Sequence, residues 1–338
     1  MSIRIVQNLP EQAWRHFVHG HPDGNIFHTP EMFQVFSLTK GHRPELWAAT
    51  EKGNVQALLL PVRITLNELL PPQLVTRSIV YGGVLSMPGA EGLMALGQLL
   101  QAYIREADGA TLFTELRNLK ETSAIQPVLK KYGFVYHEEL NFLVNLKPTA
   151  EAVLQSIGPR TRKHIRRALR RKEIVIREVE NLEQLTACYS LVEKSYRRSQ
   201  VPLPNFSLFE AAFDLLHTRK MVRFTMACSS QSAVAASAEL LYKDIIYGWF
   251  GGIDRLHGAY VPNELLTWHI LEWGSENGFS LYDFGGAGKP DLEYGVRDFK
   301  AKFRGQLVSY GRNRFIHAPR LLRLSERGYN LLRKWFFG

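Results

Sequence analysis

Between Tyr247 and Gly305, this 338-residue chain places two glycine turns, a helix and a lysine pair in close succession. Tyr247-Gly-Trp-Phe-Gly-Gly-Ile-Asp254 reads as a strand running through glycines, and Pro262 to about Asn277 as an apolar helix. Leu281-Tyr-Asp-Phe284 reads as a second strand entering Gly285-Gly-Ala-Gly288, and Asp298-Phe-Lys-Ala-Lys-Phe-Arg-Gly305 follows. These residue types suit transfer of an acyl group to an amine. That reaction needs an activated ester or thioester held beside the amine and gains chiefly from proximity. It also needs donors or positive charge where the carbonyl oxygen becomes an oxyanion. Exposed backbone N–H groups at Trp249, Phe250, Gly251 and Gly252 are candidates to bind the donor. The amino end of the helix at Pro262 and Asn263 is a candidate for its phosphates. Lys300, after Phe299, and Lys302 are candidates for the charge at the carbonyl. Asp283 and Asp298 are candidates to accept the amine proton, and Asp283 has the alternative reading of a turn cap.

Other chemistries lack their residues. There is no Gly-x-x-x-x-Gly-Lys-Ser/Thr loop, no Gly-x-Gly-x-x-Gly after a strand and no Gly-x-Ser-x-Gly elbow. The eleven histidines and two cysteines, Cys188 and Cys228, show no zinc spacing and no disulfide framework. A covalent nucleophile and a metal are therefore not indicated. The cysteine usage and the start of the sequence suit a reducing, cytoplasmic setting, and no stretch is long and apolar enough to span a bilayer. A hydrophobic share of 45% with 22% charged residues is that of a globular protein able to bury a core.

The net charge of +10 is uneven. Residues 160–172 hold eight Lys/Arg and no acid, and residues 304–338 hold eight Lys/Arg and one acid, so the remainder is net negative. Such a footprint suits a polyanion, whether RNA, a diphosphate head group or an anionic membrane, or else a solvated basic face with no partner. In Gly158-Pro-Arg-Thr-Arg-Lys-His-Ile-Arg-Arg-Ala-Leu-Arg-Arg-Lys172, Gly158 and Pro159 open a helix. Ile165 and Leu169 are spaced to dock it, leaving Arg162, Arg166, Arg167 and Arg170 for anions. The segment from Pro319 to Gly338 reads as a basic amphipathic helix, suited either to an anionic membrane or to packing on the domain.

The elements that must position these residues occur twice. Each half runs helix, helix, hairpin, strand with Gly-Gly, helix, strand. In the first half, Thr29-Pro30 starts a helix, 46–50 and 55–64 form a hairpin, Ser78–Val84 passes through Tyr81-Gly-Gly83, and 92–107 is a helix before the strand 110–116. In the second half, 182–198 and 207–219 are helices, 222–228 and 233–242 a hairpin, and 245–250 the strand entering Gly251-Gly252. The expected fold is α/β (α+β), two tandem domains each with a mixed twisted sheet flanked by helices. The expected boundaries are 1–150 for the first domain, 151–173 for a basic connecting helix, 174–318 for the second domain and 319–338 for the terminal helix. Because only the second copy is followed by the lysine segment, the chemistry is expected in the second domain or in its cleft with the first, which would help hold the acceptor.

Taken together, the doubled unit, the basic helix between the halves, Pro262-Asn-Glu-Leu-Leu-x-Trp268, Gly278-Phe-x-x-Tyr-Asp-Phe-Gly-Gly286 and Phe299-Lys-x-x-Phe303 resemble the FemABX peptidyltransferases. These belong to the GNAT N-acyltransferase superfamily, and the resemblance covers nearly the whole chain. It implies tandem GNAT domains and transfer of an amino acid from aminoacyl-tRNA, a co-substrate rather than a bound cofactor, to an amine of a peptidoglycan precursor peptide. It further implies a catalytic role for Lys300 beside Phe299, and contact of Arg198 or its neighbour Arg197 with the acceptor. The implied partners are aminoacyl-tRNA and a muramyl-peptide or lipid-linked cell-wall precursor, with no DNA. The inner membrane face is a candidate contact for the basic C-terminal helix. The sequence departs from the family where Phe36 and Ser37 stand near a usual precursor-binding lysine, Lys40 being the nearest cation. It also lacks a coiled-coil arm near 200–220 and places Arg304 between Phe303 and Gly305. Two alternatives remain: an acyl-CoA-dependent N-acyltransferase acting on a cell-envelope or exopolysaccharide precursor, and a non-catalytic RNA- or membrane-binding protein on the same fold.

Overall fold

The computed structural model describes residues 2–65, 70–230 and 232–327. The chain forms two compact units, residues 1–138 with the segment beginning at Tyr310, and Glu139–Ser309. Strand pairing places the divisions at 138/139 and 309/310, whereas the sequence reading put them at 150 and 318. Leu140–Asn145 lies between Leu281–Gly286 and Gln306–Ser309 in the second unit's sheet. Arg312–Ile316 lies between Phe113–Asn118 and Val135–His137 in the first unit's sheet.

In the first unit, the described strands form two sheets. One has the order Ile3–Val6, Trp47–Glu51, Asn54–Leu59, Leu85–Ser86. The other has the order His42–Pro44, Val62–Thr65, Thr76–Gly82, Phe113–Asn118, Arg312–Ile316, Val135–His137. The apolar run 55–64, expected as one strand, is broken and contributes to both sheets. Pro61 stands at the break, where a residue without an N–H cannot continue a ladder. Thr76–Gly82 and Phe113–Asn118 run parallel, joined through the helix Ala90–Ala107. That helix buries Leu96, Leu99, Leu100 and Tyr103 against Trp47, Leu59, Val80 and Leu116, following its apolar spacing.

The second unit is one mixed sheet in the order Ile174–Glu178, Val222–Ser229, Ser232–Tyr242, Ile245–Ile253, Leu281–Gly286, Leu140–Asn145, Gln306–Ser309. Its parallel pair, Ile245–Ile253 with Leu281–Gly286, is joined through the helix Pro262–Glu276. Val222–Ser229 is buried at nearly every position, as expected of a strand covered on both faces. Leu265, Leu266, Trp268 and Leu271 of the helix form a core with Ile246, Tyr282, Phe284 and Phe303. Both units thus repeat strand, helix, parallel strand, and each is a sheet system flanked by helices, the expected architecture. In place of one connecting helix at 151–173 there are two, Ala150–Ser156 and Pro159–Arg171, both within the second unit. Ile165 docks as expected, but Leu169 is 48% exposed. The segment 207–219 is α-helical over Ser207–Ala212 and then widens to a π-helical turn over Phe213–His217. Residues 319–327 are helical as expected, and the rest of the basic C-terminal segment lies outside the described residues.

Candidate functional site

The site begins where the second unit's parallel strands part. Ile245–Ile253 and Leu281–Gly286 pair only through Ile245↔Leu281, Ile246↔Tyr282 and Tyr247↔Asp283. Beyond that point the first strand stays on Ser232–Tyr242 as far as Ile253↔Ala235, while the second stays on Leu140–Asn145 as far as Gly286↔Asn141. A bulge lies at the parting: Ala238 opposes Phe250 and Glu239 opposes Gly248, leaving Trp249 as the extra residue. Bulges bend a strand and re-aim its groups. In the first unit the corresponding strands remain paired to Gly82↔Asn118. The parting therefore distinguishes the second copy.

The glycines here have different jobs. A Cβ on Gly248 would stand 2.9 Å from the Tyr282 hydroxyl, and one on Gly285, whose φ is +69°, would stand 3.1 Å from the Gly248 carbonyl oxygen. Both are needed for the strands to approach at the neck. A Cβ on Gly252 would lie 2.4 Å from the Leu191 carbonyl oxygen, so the helix Leu182–Arg198 packs directly on Gly252. Gly251 is exposed, and a Cβ there would meet only the Ala236 carbonyl oxygen, at 3.9 Å. Of the four donor candidates on this strand, Gly251 is the open one, while Trp249 and Phe250 are half-buried in a ring cluster with Phe209.

Lys300 closes the end of the second strand. Its ammonium donates to the carbonyls of Phe284 (2.6 Å), Gly286 (2.8 Å) and Gly285 (3.1 Å). Burial lowers its pKa to about 8, with the charges of Asp283 and Glu139 acting against the fall. An ammonium has three N–H groups, so Lys300 holds the glycine turn with its full donor set. The short helix Gly295–Ala301 carries it there, anchored by half-buried Phe299 edge-on to Phe303 at 5.5 Å. Phe299 is thus a packing residue that positions Lys300. Lys302 pairs with Glu264 in the first turn of the Pro262 helix at 2.9 Å.

Asp283 is 2% exposed, and its Oδ1 accepts from Asn141 Nδ2 and from the Gly285 backbone N–H, both at 2.7 Å. This is the turn-capping alternative, an Asx-type bond two residues onward. The Pro262 helix starts after Val261 in a left-handed conformation at φ 49°. Pro262 has no N–H, so Asn263 and Glu264 supply first-turn amides without intrahelical acceptors.

Of the acceptor candidates, Arg198 lies at the end of the glycine strand, 3.4 Å from the Ile253 carbonyl oxygen. Arg197 points along its own helix toward Glu193, at 3.8 Å. Among the polyanion candidates, Arg162 donates to the Gln155 and Ile157 carbonyls, capping the preceding helix. Arg166 pairs with Glu151 at 2.7 Å. Arg167 and Arg170 are exposed and share a helix face with exposed Arg160, Lys163 and Arg171. Arg160 and Lys163 went unnoticed in sequence because the face was judged from Leu169, which does not dock.

Glu239, opposite Gly248, was also missed. It is 1% exposed, and burial lifts its pKa to about 8 against a Ser237 hydrogen bond and the Arg223 charge. One acid inside Ala235-Ala-Ser-Ala-Glu-Leu-Leu241 was the available signal. Among the described residues no helix is long and apolar enough to cross a membrane.

Residues 159–300 match the family model of the acetyltransferase (GNAT) domain. Among solved structures, FemX superposes with a TM-score of 0.72 at 16% identity, covering 96% of this chain and 99% of that one. L-PGS from Bacillus licheniformis gives 0.58 at 13% identity, covering 96% and 97%. A tandem GNAT protein from the clavulanic acid biosynthesis pathway gives 0.59 at 10% identity, covering 94% and 99%. No curated protein matches the sequence. The matched domain, residues 159–300, is thus an N-acyltransferase domain lying in the second unit, and the chain as a whole has a tandem GNAT fold. Its fold is similar to that of FemX over nearly the full length of both chains.

Proposed function

We propose that the chain is an aminoacyltransferase that moves an amino acid from aminoacyl-tRNA to an amine of a peptidoglycan precursor peptide. The observation that carries this reading is the parted strand pair of the second unit, with Lys300 fixed across its glycine turn. In the proposed reaction the amine nitrogen attacks the ester carbonyl carbon, the amide C–N bond forms, the C–O bond to the tRNA ribose breaks, and the proton lost by the amine ends on the departing ribose oxygen as its hydroxyl. Backbone N–H groups about Gly251 hold the donor carbonyl, and the Lys300 charge favours the oxyanion. Such a site acts through proximity and electrostatics and needs no covalent intermediate. The exposed face of Arg160, Lys163, Arg167 and Arg170 suits the tRNA backbone. The likeness to FemX supports the reading at the level of fold. By the same reading the protein works at the cytoplasmic face of the cell envelope.

An acyl-CoA donor is the second reading, favoured by the acetyltransferase domain match over 159–300. Incubation with labelled aminoacyl-tRNAs or labelled acyl-CoA, each with muramyl-peptide precursors, separates the two. Label entering the precursor from tRNA supports the first. Label from acyl-CoA alone overturns it, as does no transfer from the full set of aminoacyl-tRNAs.

A further inference from the structure

The first unit carries a cluster of arginines that the transfer chemistry does not use. Glu115 and Arg117 lie on Phe113–Asn118, and Arg314 and Arg312 stand directly opposite them on Arg312–Ile316. Residues opposite each other or two apart share one face of a sheet, so all four side chains project together. Glu115 is 3% exposed. Its Oε1 accepts from Arg117 Nε at 3.0 Å and Arg312 Nη1 at 3.3 Å, and its Oε2 from Arg314 Nη2 at 2.5 Å. Burial alone would raise this carboxyl, but the three guanidiniums outweigh it and hold its pKa at about 2. One carboxylate thus faces three fixed cations whose side chains stay 34%, 30% and 36% exposed. Buried Arg314 Nε has no hydrogen-bond partner among the described residues, a free-energy cost that the packed cluster carries. Arg117 also lies over the Tyr81 ring at 5.4 Å, and Tyr81 stacks on Phe27 at 5.6 Å.

We propose that Arg117, Arg312 and Arg314, held in register by Glu115, bind a phosphate or diphosphate ester, with the Tyr81 ring beside it. Guanidinium forks match phosphate oxygens two at a time, and a shared buried carboxylate fixes the forks before the ligand arrives. In assigning the ester to the acceptor substrate the inference rests on the proposed transfer function, but the binding is measured without turnover.

The test is calorimetry on the full chain with inorganic pyrophosphate, with uridine diphosphate, and with phosphatidylcholine vesicles with and without phosphatidylglycerol. Saturable pyrophosphate binding is expected, weakened roughly tenfold by Arg312→Gln or Arg314→Gln and unchanged by Arg105→Gln, an exposed arginine of the same unit. Uridine diphosphate binding as tightly as pyrophosphate assigns the ester to a soluble carrier, whereas binding only to phosphatidylglycerol vesicles assigns it to a lipid headgroup. No saturable binding of any probe at millimolar concentration overturns the site, as does equal affinity in the double variant. If the variants do not fold, phenylglyoxal labelling of the unaltered chain decides. Pyrophosphate should protect the three arginines and leave Arg105 reactive, and loss of that selectivity overturns the proposal. Binding without transfer would fault only the proposed function, and transfer without binding only this site.

Discussion

Lys300 concentrates the proposed chemistry at the scale of single residues. With its pKa lowered to about 8 by burial, the proposed reading expects kcat/KM to fall as pH rises through about 8, where the ammonium loses its charge. Lys300→Arg should move that limb upward, and Lys300→Met should lower kcat by roughly 10²–10³; a pH profile indifferent to both changes would remove Lys300 from the chemistry. Stability runs the other way for this group. The folded lysine binds fewer protons than the unfolded one between about pH 8 and 10.5, so its contribution to stability rises with pH across that window. Glu239 has the opposite sign. Its raised pKa means the folded state holds an extra proton from about pH 4.5 to 8, so stability falls across that interval. Melting temperatures against pH should decline there, and Glu239→Gln should flatten the decline. Glu115 is held low, at about 2, so its contribution is present above about pH 4.5 and lost as pH falls toward 2. Glycine positions separate packing from binding. Gly252→Ala sets a Cβ against the Leu191 backbone and should destabilise by about 1–3 kcal/mol. Gly251→Ala should leave the melting temperature in place and test donor affinity alone.

At the scale of elements, the basic helix Pro159–Arg171 divides its charges between two tasks. Arg162 caps Ala150–Ser156 and Arg166 pairs with Glu151, so substituting Arg162 should act mainly on stability. Arg167 and Arg170 face solvent with Arg160 and Lys163. Their joint replacement by Glu should weaken tRNA binding and lower the slope of log affinity against log salt, by about 0.7–0.9 for each phosphate the helix no longer neutralises. A salt slope that does not change would show that tRNA does not lie on this face. The helix was legible from Gly158-Pro159 and its length, because a proline at the first position and a run of good helix formers specify it locally. Its docking face was not, because Ile165 and Leu169 have equal claims by spacing and only the packing around Pro262–Glu276 selects Ile165.

At the scale of the whole molecule, strand pairing ties distant parts of the chain into one sheet. Residue Asn313 is fully buried, with its side chain bonded to Gln126 and Asn118. Ending the chain at Ser309 therefore removes a strand from the middle of the first unit's sheet and leaves those partners unmet. Truncated 1–309 should lose protection in residues 113–137 by hydrogen exchange. The fragment 139–309 contains every strand of the seven-stranded sheet and should give a cooperative melt by circular dichroism.

The sequence alone determined what depends on local pattern: the two strand–helix–strand units, most helix starts, the position of the glycines and the motifs that resemble FemABX enzymes. The lysine segment that follows the second copy was likewise readable, and the acetyltransferase domain match falls on that copy. Tertiary structure decided what depends on pairing over long sequence distance. It parted Tyr247 from Gly248 in their relation to the neighbouring strand, bonded Asp283 to Asn141, and set Arg312 and Arg314 beside Glu115. It also gave Gly251 and Gly252, adjacent and identical in sequence, opposite surroundings. The physical reason is that a strand's hydrogen bonds and a glycine's neighbours are supplied by other segments, so residue type fixes what a position can tolerate and the fold fixes what it meets.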